Sequence, residues 1–144
     1  MLKPFVLLSA ASLFVLSPAL IHAAAPQDAA QPPAPSHAGA SNPVKPTAES
    51  LAKAKSIYEI DCAMCHGDSG NGQTDLAKSM SLNMADFTDA KAMTTKTDGD
   101  LFDIIRNGKD KMPPEAAGRA NDTVVWNLIA YIRKMSGAQA AAAK

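Results

Sequence analysis

Two cysteines and a histidine near the middle of the chain stand in a pattern that could do covalent chemistry. Residues 62–66 read Cys-Ala-Met-Cys-His, and Cys62 and Cys65 are the only cysteines of the chain. Two thiols one helical turn apart can each add across a vinyl group of a porphyrin, and the adjacent imidazole of His66 can then bind the iron. The spacing is the attachment signature of haem c. It predicts one haem, bound covalently through Cys62 and Cys65.

Two other sites could use the same residue types. A redox pair of the thioredoxin kind should follow a strand in a βαβ pattern, but the residues before Cys62 have a helical pattern. A zinc site needs four ligands in a tetrahedral array, and no second cluster of cysteine or histidine completes one. The haem interpretation is therefore favoured over both.

The elements that must position this motif are helical. Apolar residues after residue 47 recur at intervals of three and four, and alternation with a period of two is missing. Thr47 can cap a first helix that runs into the motif. Residues 73–80 predict a further short helix.

Two more helices follow the motif. Thr97 and Asp100 form a capping pair that opens a helix, and Gly108 stops it. Asn121 or Asp122 caps a last helix with a strongly apolar face. The predicted fold class is all-α, with three to four helices wrapped around one covalently attached haem.

The iron needs a second axial ligand, and the domain offers only methionines for it. A thioether ligand raises the reduction potential and closes the iron to other ligands. Met112 is favoured because Pro113 and Pro114 follow it, which excludes helix at Met112 and stiffens the loop. Met84 is the alternative. The other candidates in the domain are Met64, Met80, Met93 and Met135.

The N-terminus predicts a compartment. Lys3 precedes an apolar run over residues 5–21 and a stretch of small residues, which is typical of a secretory signal peptide over residues 1–23, cleaved after Ala23. An uncleaved membrane anchor is the alternative, because the run is near the lower limit of about 17 residues for a bilayer span. Haem is attached to cysteines outside the cytoplasm in bacteria, so the leader and the motif both indicate the periplasm.

Composition divides the rest of the chain. Residues 24–46 are rich in Ala and Pro and predict a disordered linker, in which His37 is expected to be solvated. Residues 47–137 predict one small haem domain, which a covalently held haem would reinforce. Residues 138–144, mostly Ala, predict a flexible tail.

Residues 47–136 resemble the class I cytochromes c, which hold one haem between His and Met. The resemblance implies that Cys62 and Cys65 carry thioethers, that His66 and Met112 are the axial ligands, and that the first and last helices cross. The segments that carry it are Ile57-Tyr58-x-x-x-Cys62, Cys62-x-x-Cys65-His66-Gly67, Ile105-Arg106-Asn107-Gly108 before Met112-Pro113, and Trp126-x-x-x-x-Tyr131.

Within this family pattern, two aromatic residues of the last helix have expected places. Tyr131 is expected at the helix crossing near Ala54. Trp126 is expected either to donate its indole proton to a haem propionate or to be a buried aromatic residue without that role.

The site predicts function. Haem held between His66 and Met112 has no open iron position, so we expect an electron carrier between transient redox partner proteins rather than an enzyme. One alternative is a haem c subunit or domain of a larger oxidoreductase complex. Another is a haem sensor or a peroxidase-like domain, if Met112 is not a stable ligand. The chain has 14 basic and 14 acidic residues and no basic footprint for nucleic acid; membrane association is expected only through a retained leader or a respiratory complex.

Overall fold

The computed structural model describes residues 36–137, and the predicted leader, the first part of the linker and the tail lie outside the described residues. Residues 36–137 contain one isolated β-bridge and no β-strand, so the all-α prediction is confirmed. None of the helices in this range is long and apolar enough to cross a membrane. The helices are α1 Ala48–Ile57, a π-helix Tyr58–Cys62, α2 Ala63–His66, α3 Asp75–Ser79, α4 Ala90–Met93, α5 Asp98–Asn107 and α6 Asp122–Met135.

The predicted helix starts are confirmed by hydrogen bonds at their caps. The side chain of Thr47 caps α1, and Thr97 and Asp100 bond reciprocally at the start of α5. Asn121 caps α6, and Asp122 is the first helical residue. These caps satisfy backbone N–H groups that have no partner within the helix, so each start is determined locally. The short α3 lies inside the segment predicted for it.

One helix was not predicted. The single turn α4 begins where the Asp89 side chain accepts a hydrogen bond from the Lys91 amide, and it carries the buried Met93. A turn of this length shows no apolar repeat, so periodicity cannot find it.

The packing of α6 on α1 is the most extensive contact between helices in the described chain. Ala54 and Tyr58 are fully buried beside the α6 residues Leu128 and Ile129. The rings of Tyr58 and Tyr131 lie 5.5 Å apart at 60°. The first and last helices therefore pack against each other, and the ring of Tyr131 lies against that of Tyr58 at this contact.

A buried ion pair joins the end of α6 to the start of α5. Arg133 and Asp98 are each only 2% exposed, and Arg133 Nε donates to Asp98 Oδ1 at 2.9 Å. The guanidinium also donates to the carbonyls of Met93 and Lys96. Arg133 thereby joins the end of α4 and the loop before α5 to α6.

Residues 36–46, which composition assigns to the linker, lie against α5 and α6. The expectation that His37 is solvated is wrong. Its ring lies 4.3 Å from that of Phe102 and 5.6 Å from that of Trp126, and its Nδ1 is 3.2 Å from Asp103 Oδ1. The composition indicates correctly that this segment has too few apolar residues for a core of its own, but it can pack on a core that other elements supply. The bounds of leader, linker and tail stay predictions.

We expect Asp98→Ala to lower the free energy of unfolding by about 3–5 kcal/mol, because the substitution leaves a buried guanidinium without its counter-charge. Urea unfolding of the haem-loaded protein measures the change. Glu59→Ala is the control, since it removes the exposed pair of Lys55 and Glu59 and should change the unfolding midpoint little. Equal effects of the two substitutions would contradict a stabilising role of the buried pair.

Candidate haem site

The Cys-x-x-Cys-His motif is presented by two consecutive helices. The π-helix ends at Cys62, and α2 carries the rest of the motif. Ala63 faces the core at 7% exposure, whereas Met64 is 68% exposed. Cys62 and Cys65 are free thiols of intermediate exposure. Both sulfurs are therefore held on a helix and remain reachable for a bound group.

His66 is half-buried, in a form that can bind a metal. Burial lowers the pKa of its imidazole, so the ring is neutral at pH 7, the form that ligates metals. The ring stacks on Phe87 at a centroid distance of 4.6 Å and an angle of 15°. Within the described chain its buried Nδ1 has no hydrogen-bond partner. A buried polar atom without a partner is unfavourable, which fits a site that a bound group completes.

The segment after the motif is held by side-chain hydrogen bonds. Tyr58 Oη donates to the Gly67 carbonyl at 2.7 Å, and Thr74 Oγ1 donates to the Cys65 carbonyl at 3.1 Å. Gly67 has a φ of 79°, a conformation that glycine adopts without strain. These contacts fix the orientation of the helix turn that carries Cys65 and His66.

The exposure of the apolar residues of α5 indicates whether this helix could contact a haem. Phe102 and Ile105 are buried, and α5 packs against α6. Leu101 and Ile104, on the same helix, are only partly buried. An apolar row that protein atoms cover only in part fits contact with a flat apolar cofactor. Together with the two thiols and His66, the residues present fit haem c.

Met84 lies beside Gly72, which follows the haem motif in the chain. A Cβ at Gly72 would lie 2.5 Å from the Met84 Cβ, and the Gly72 amide donates to the His66 carbonyl at 2.8 Å. Phe87, three residues beyond Met84, stacks on His66 and donates its amide to the Gly70 carbonyl. Met84 therefore packs beside the segment that follows His66 in the chain.

The remaining methionines fit packing or solvent better than ligation. Met93 is in the core at 4% exposure, whereas Met64 and Met80 are 68% and 43% exposed. The Met135 sulfur lies against Gly70, where an added Cβ would be 2.6 Å away. Met112 is half-buried at the edge of the core.

Met112 is held in a tight turn. The amide of Lys109 donates to the Met112 carbonyl at 3.1 Å, and the Met112 amide donates back at 2.8 Å. Asp110 takes a φ of 53° inside the turn. At Gly108 a Cβ would lie 2.6 Å from the Met112 carbonyl oxygen, so glycine permits the close return of the chain. Hydrogen bonds, in addition to the two prolines, hold this loop.

Arg106 is the site residue that sequence reasoning missed. Its guanidinium is 8% exposed and donates to the carbonyls of Glu115 and Ala120 at 2.7 and 2.8 Å. It also pairs with Asp122 at 2.8 Å. One side chain of α5 thus ties the segment after Met112 to the start of α6. The only signal for it was its place in the Ile-Arg-Asn-Gly segment.

Two carboxylates lie close to Cys62. Arg119 bonds to Asp61 and approaches Glu115 Oε1 to 3.9 Å. Burial, and then the charges of Glu115 and Asp61, raises the pKa of the Cys62 thiol to about 12. Burial, and then the charge of Asp61, also raises the pKa of Glu115. The Cys62 thiol is therefore protonated at neutral pH before any attachment.

Trp126 is buried among aromatic rings. Its side chain is 5% exposed and stacks on Phe102 at 4.4 Å and 27°. The proposed hydrogen bond from its indole to a propionate stays a prediction.

Comparison with known proteins identifies a family that this chain matches. Residues 49–132 match the family model described as cytochrome C oxidase, cbb3-type, subunit III. The chain is 27% identical over 85 residues to the Cbb3-type cytochrome c oxidase subunit CcoP of Azospirillum brasilense, covering 59% of this chain and 28% of that protein. It is 27% identical over 93 residues to the subunit FixPc of Rhizobium leguminosarum bv. viciae, covering 64% and 30%.

The chain spans less than a third of the length of these relatives. Among solved structures, the KustC0563 c-type cytochrome aligns with a TM-score of 0.50 and 24% identity, covering 57% of this chain and 95% of that one. At this identity the likeness supports the fold alone, a small all-α cytochrome c fold.

We expect Glu115→Gln to stabilise the protein at neutral pH but not in acid. The folded state raises the pKa of Glu115 above its ordinary value of 4.5, so the wild type loses stability as the pH rises from 4.5 through the folded pKa. The variant has no such charge to bury. Urea unfolding at a series of pH values measures the difference, which should be absent where Glu115 is protonated in both states. A constant difference at every pH would contradict the assignment.

Proposed function

This chain belongs to the family of cytochrome c oxidase, cbb3-type, subunit III, and from that premise we propose that it is the haem c subunit or domain of a larger oxidoreductase complex, in which it passes single electrons. The observation that carries the proposal is the Cys-x-x-Cys-His motif at the end of the π-helix and on α2, with a buried His66 Nδ1 that has no hydrogen-bond partner in the described chain. A freely diffusing electron carrier is the second candidate.

The relatives favour a subunit over a free carrier. They are named as subunits of cbb3-type cytochrome c oxidases, and the match to this chain covers its cytochrome domain. We propose that the partners of this chain are likewise the redox proteins of a respiratory complex. The domain itself transfers electrons and transforms no substrate, so any enzymatic activity belongs to the complex.

Each residue of the site has a proposed role. Cys62 and Cys65 hold the cofactor by thioether bonds, which prevent its loss from a small domain. His66, whose imidazole is kept neutral by partial burial, would bind the iron, and Met112 would supply the second ligand. Haem c, when bound, supplies an iron atom that cycles between the ferric and ferrous states. With both ligands in place, Met112 and His66 would exclude water and small ligands from the iron.

Arg106 and Tyr58 are positioning residues in this proposal. Arg106 holds the loop that presents Met112, and Tyr58 holds the turn that presents His66. The two proposed ligands lie on separate parts of the chain, and both parts need to be fixed. Movement of either ligand at each change in the charge of the iron would slow electron exchange.

The periplasm is the proposed location. The predicted leader supports it, although those residues lie outside the described range. The attachment of haem to two cysteines supports it independently, because this chemistry takes place outside the cytoplasm in bacteria. The domain reaches the membrane in this proposal through its complex.

We expect the tagged full chain, expressed in its native host and extracted with mild detergent, to co-migrate with terminal oxidase activity on a native gel. A haem stain of the same lane after denaturing electrophoresis should mark the band of this chain, because only covalently bound haem survives denaturation. The matched variant Cys62→Ala/Cys65→Ala should lose the stain. Recovery of the stained chain only in the soluble fraction, at the size of one copy, would favour the diffusing carrier instead.

We expect Met112→Ala to abolish the near-infrared charge-transfer band of thioether-ligated ferric haem, to lower the reduction potential, and to let the ferrous protein bind carbon monoxide. The soft ligand that favours ferrous iron and closes the axial position is then gone. Absorption spectra and a redox titration measure these changes. Met84→Leu is the control and should leave all three properties intact. Loss of the band in the Met84 variant would show that the ligand is Met84 and not Met112.

A further inference from the structure

The backbone of residues 36–46 is seated directly on the start of α5. The Gly99 amide donates to the Ala40 carbonyl at 2.9 Å, and the Ala40 amide donates to the His37 carbonyl at 2.8 Å. A Cβ added at Gly99 would overlap the His37 carbonyl oxygen. Gly99 lies inside α5, so helical geometry does not require glycine here. Its lack of a side chain instead makes room for the incoming backbone.

A carboxylate of α5 captures the N-terminal end of this segment. Ser36 Oγ and the His37 amide both donate to Asp103 Oδ2 at 2.9 Å, and His37 Nδ1 lies 3.2 Å from Oδ1. Although burial acts to raise the pKa of Asp103, these hydrogen bonds hold it below its ordinary value. Asp103 therefore stays charged, and charge-assisted hydrogen bonds are stronger than neutral ones.

The rest of the segment follows α6. The His37 ring packs on Phe102 and against the edge of Trp126. Asn42 Nδ2 donates to the Trp126 carbonyl at 2.8 Å, and Asn42 Oδ1 accepts from the Val44 amide at 2.9 Å. Val44 packs against the core. Backbone, charged and apolar contacts therefore act along the whole segment.

We propose that residues 36–46 are a docking strap, an intramolecular ligand whose binding to α5 and α6 fixes the point at which the N-terminal tether leaves the haem domain. The surface that receives it consists of Gly99, Phe102, Asp103 and Trp126. The occupant is the chain's own segment. Its backbone accepts a hydrogen bond from Gly99, Ser36 and His37 donate to Asp103, and the Asn42 side chain donates to the Trp126 carbonyl of α6.

The strap sets how far the domain can reach. Released from α5 and α6, residues 36–46 would add up to about 36–40 Å of contour length to a tether, at 3.3–3.6 Å per residue. While docked, these residues add no length to the tether, and they cover the side of α5 and α6 on which they lie. The inference goes beyond the proposed function, since it concerns how the domain is attached and holds for a subunit and for a free carrier alike.

Amide hydrogen exchange on the haem-loaded full chain tests the strap. In the wild type, the amides of His37, Ala40 and Gly99 should be protected. We expect Gly99→Ala to speed exchange at His37 and Ala40 at least tenfold, because the new methyl group occupies the seat of the strap, while amides of α1 and α6 keep their protection. Gly118→Ala is the matched control, since a Cβ there meets nothing within 4 Å.

A second variant separates release of the strap from unfolding of the domain. Asp103→Ala removes the capturing carboxylate without adding bulk and should also speed exchange at His37. The visible haem spectrum of both variants should match the wild type, because alanine favours helix more than glycine does and neither residue carries the haem motif. Unprotected strap amides in the wild type, or full protection retained in Gly99→Ala, would overturn the proposal.

Discussion

The packing of α6 on α1 is the contact on which the rest of the structure depends. Because the π-helix and α2 continue directly from α1, holding α1 also places the thiols of Cys62 and Cys65. The other side of α6 supports α5 and receives the strap. The fully buried Ala54, Tyr58 and Leu128 let the two helices approach closely, and dense packing of this kind leaves few alternative arrangements.

Two arginines extend that order to the segments between helices. Arg106 binds the carbonyls of Glu115 and Ala120 in the loop before α6, and Arg133 binds one carbonyl at the end of α4 and one in the loop that follows it. A guanidinium carries five donors in a fixed plane, so one side chain can satisfy several buried acceptors at once. The loops near the haem site are thus held in place by side-chain hydrogen bonds rather than by being part of a sheet or a helix.

Most of the helices could be predicted because their signals are local. Thr47, Thr97 and Asn121 each bond to an amide three residues away, and this geometry needs no tertiary contact. The single turn α4 was not predicted, because it is too short to show an apolar repeat. His37 was placed wrongly because composition describes whether a segment can form its own core, not whether it can lie on another. Arg133 gave no signal either, since its partner Asp98 is distant in sequence.

The sequence by itself determined the chemistry of attachment, because Cys62, Cys65 and His66 are neighbours along the chain and their spacing alone selects haem c. It also narrowed the second ligand to methionine, favouring Met112 from its two prolines. Only the tertiary structure showed that Met84 packs beside Gly72, that Arg106 holds the segment after Met112, and that the backbone of residues 36–46 packs on Gly99. The physical reason is distance along the chain: contacts between remote segments arise from packing, and no short sequence pattern encodes them.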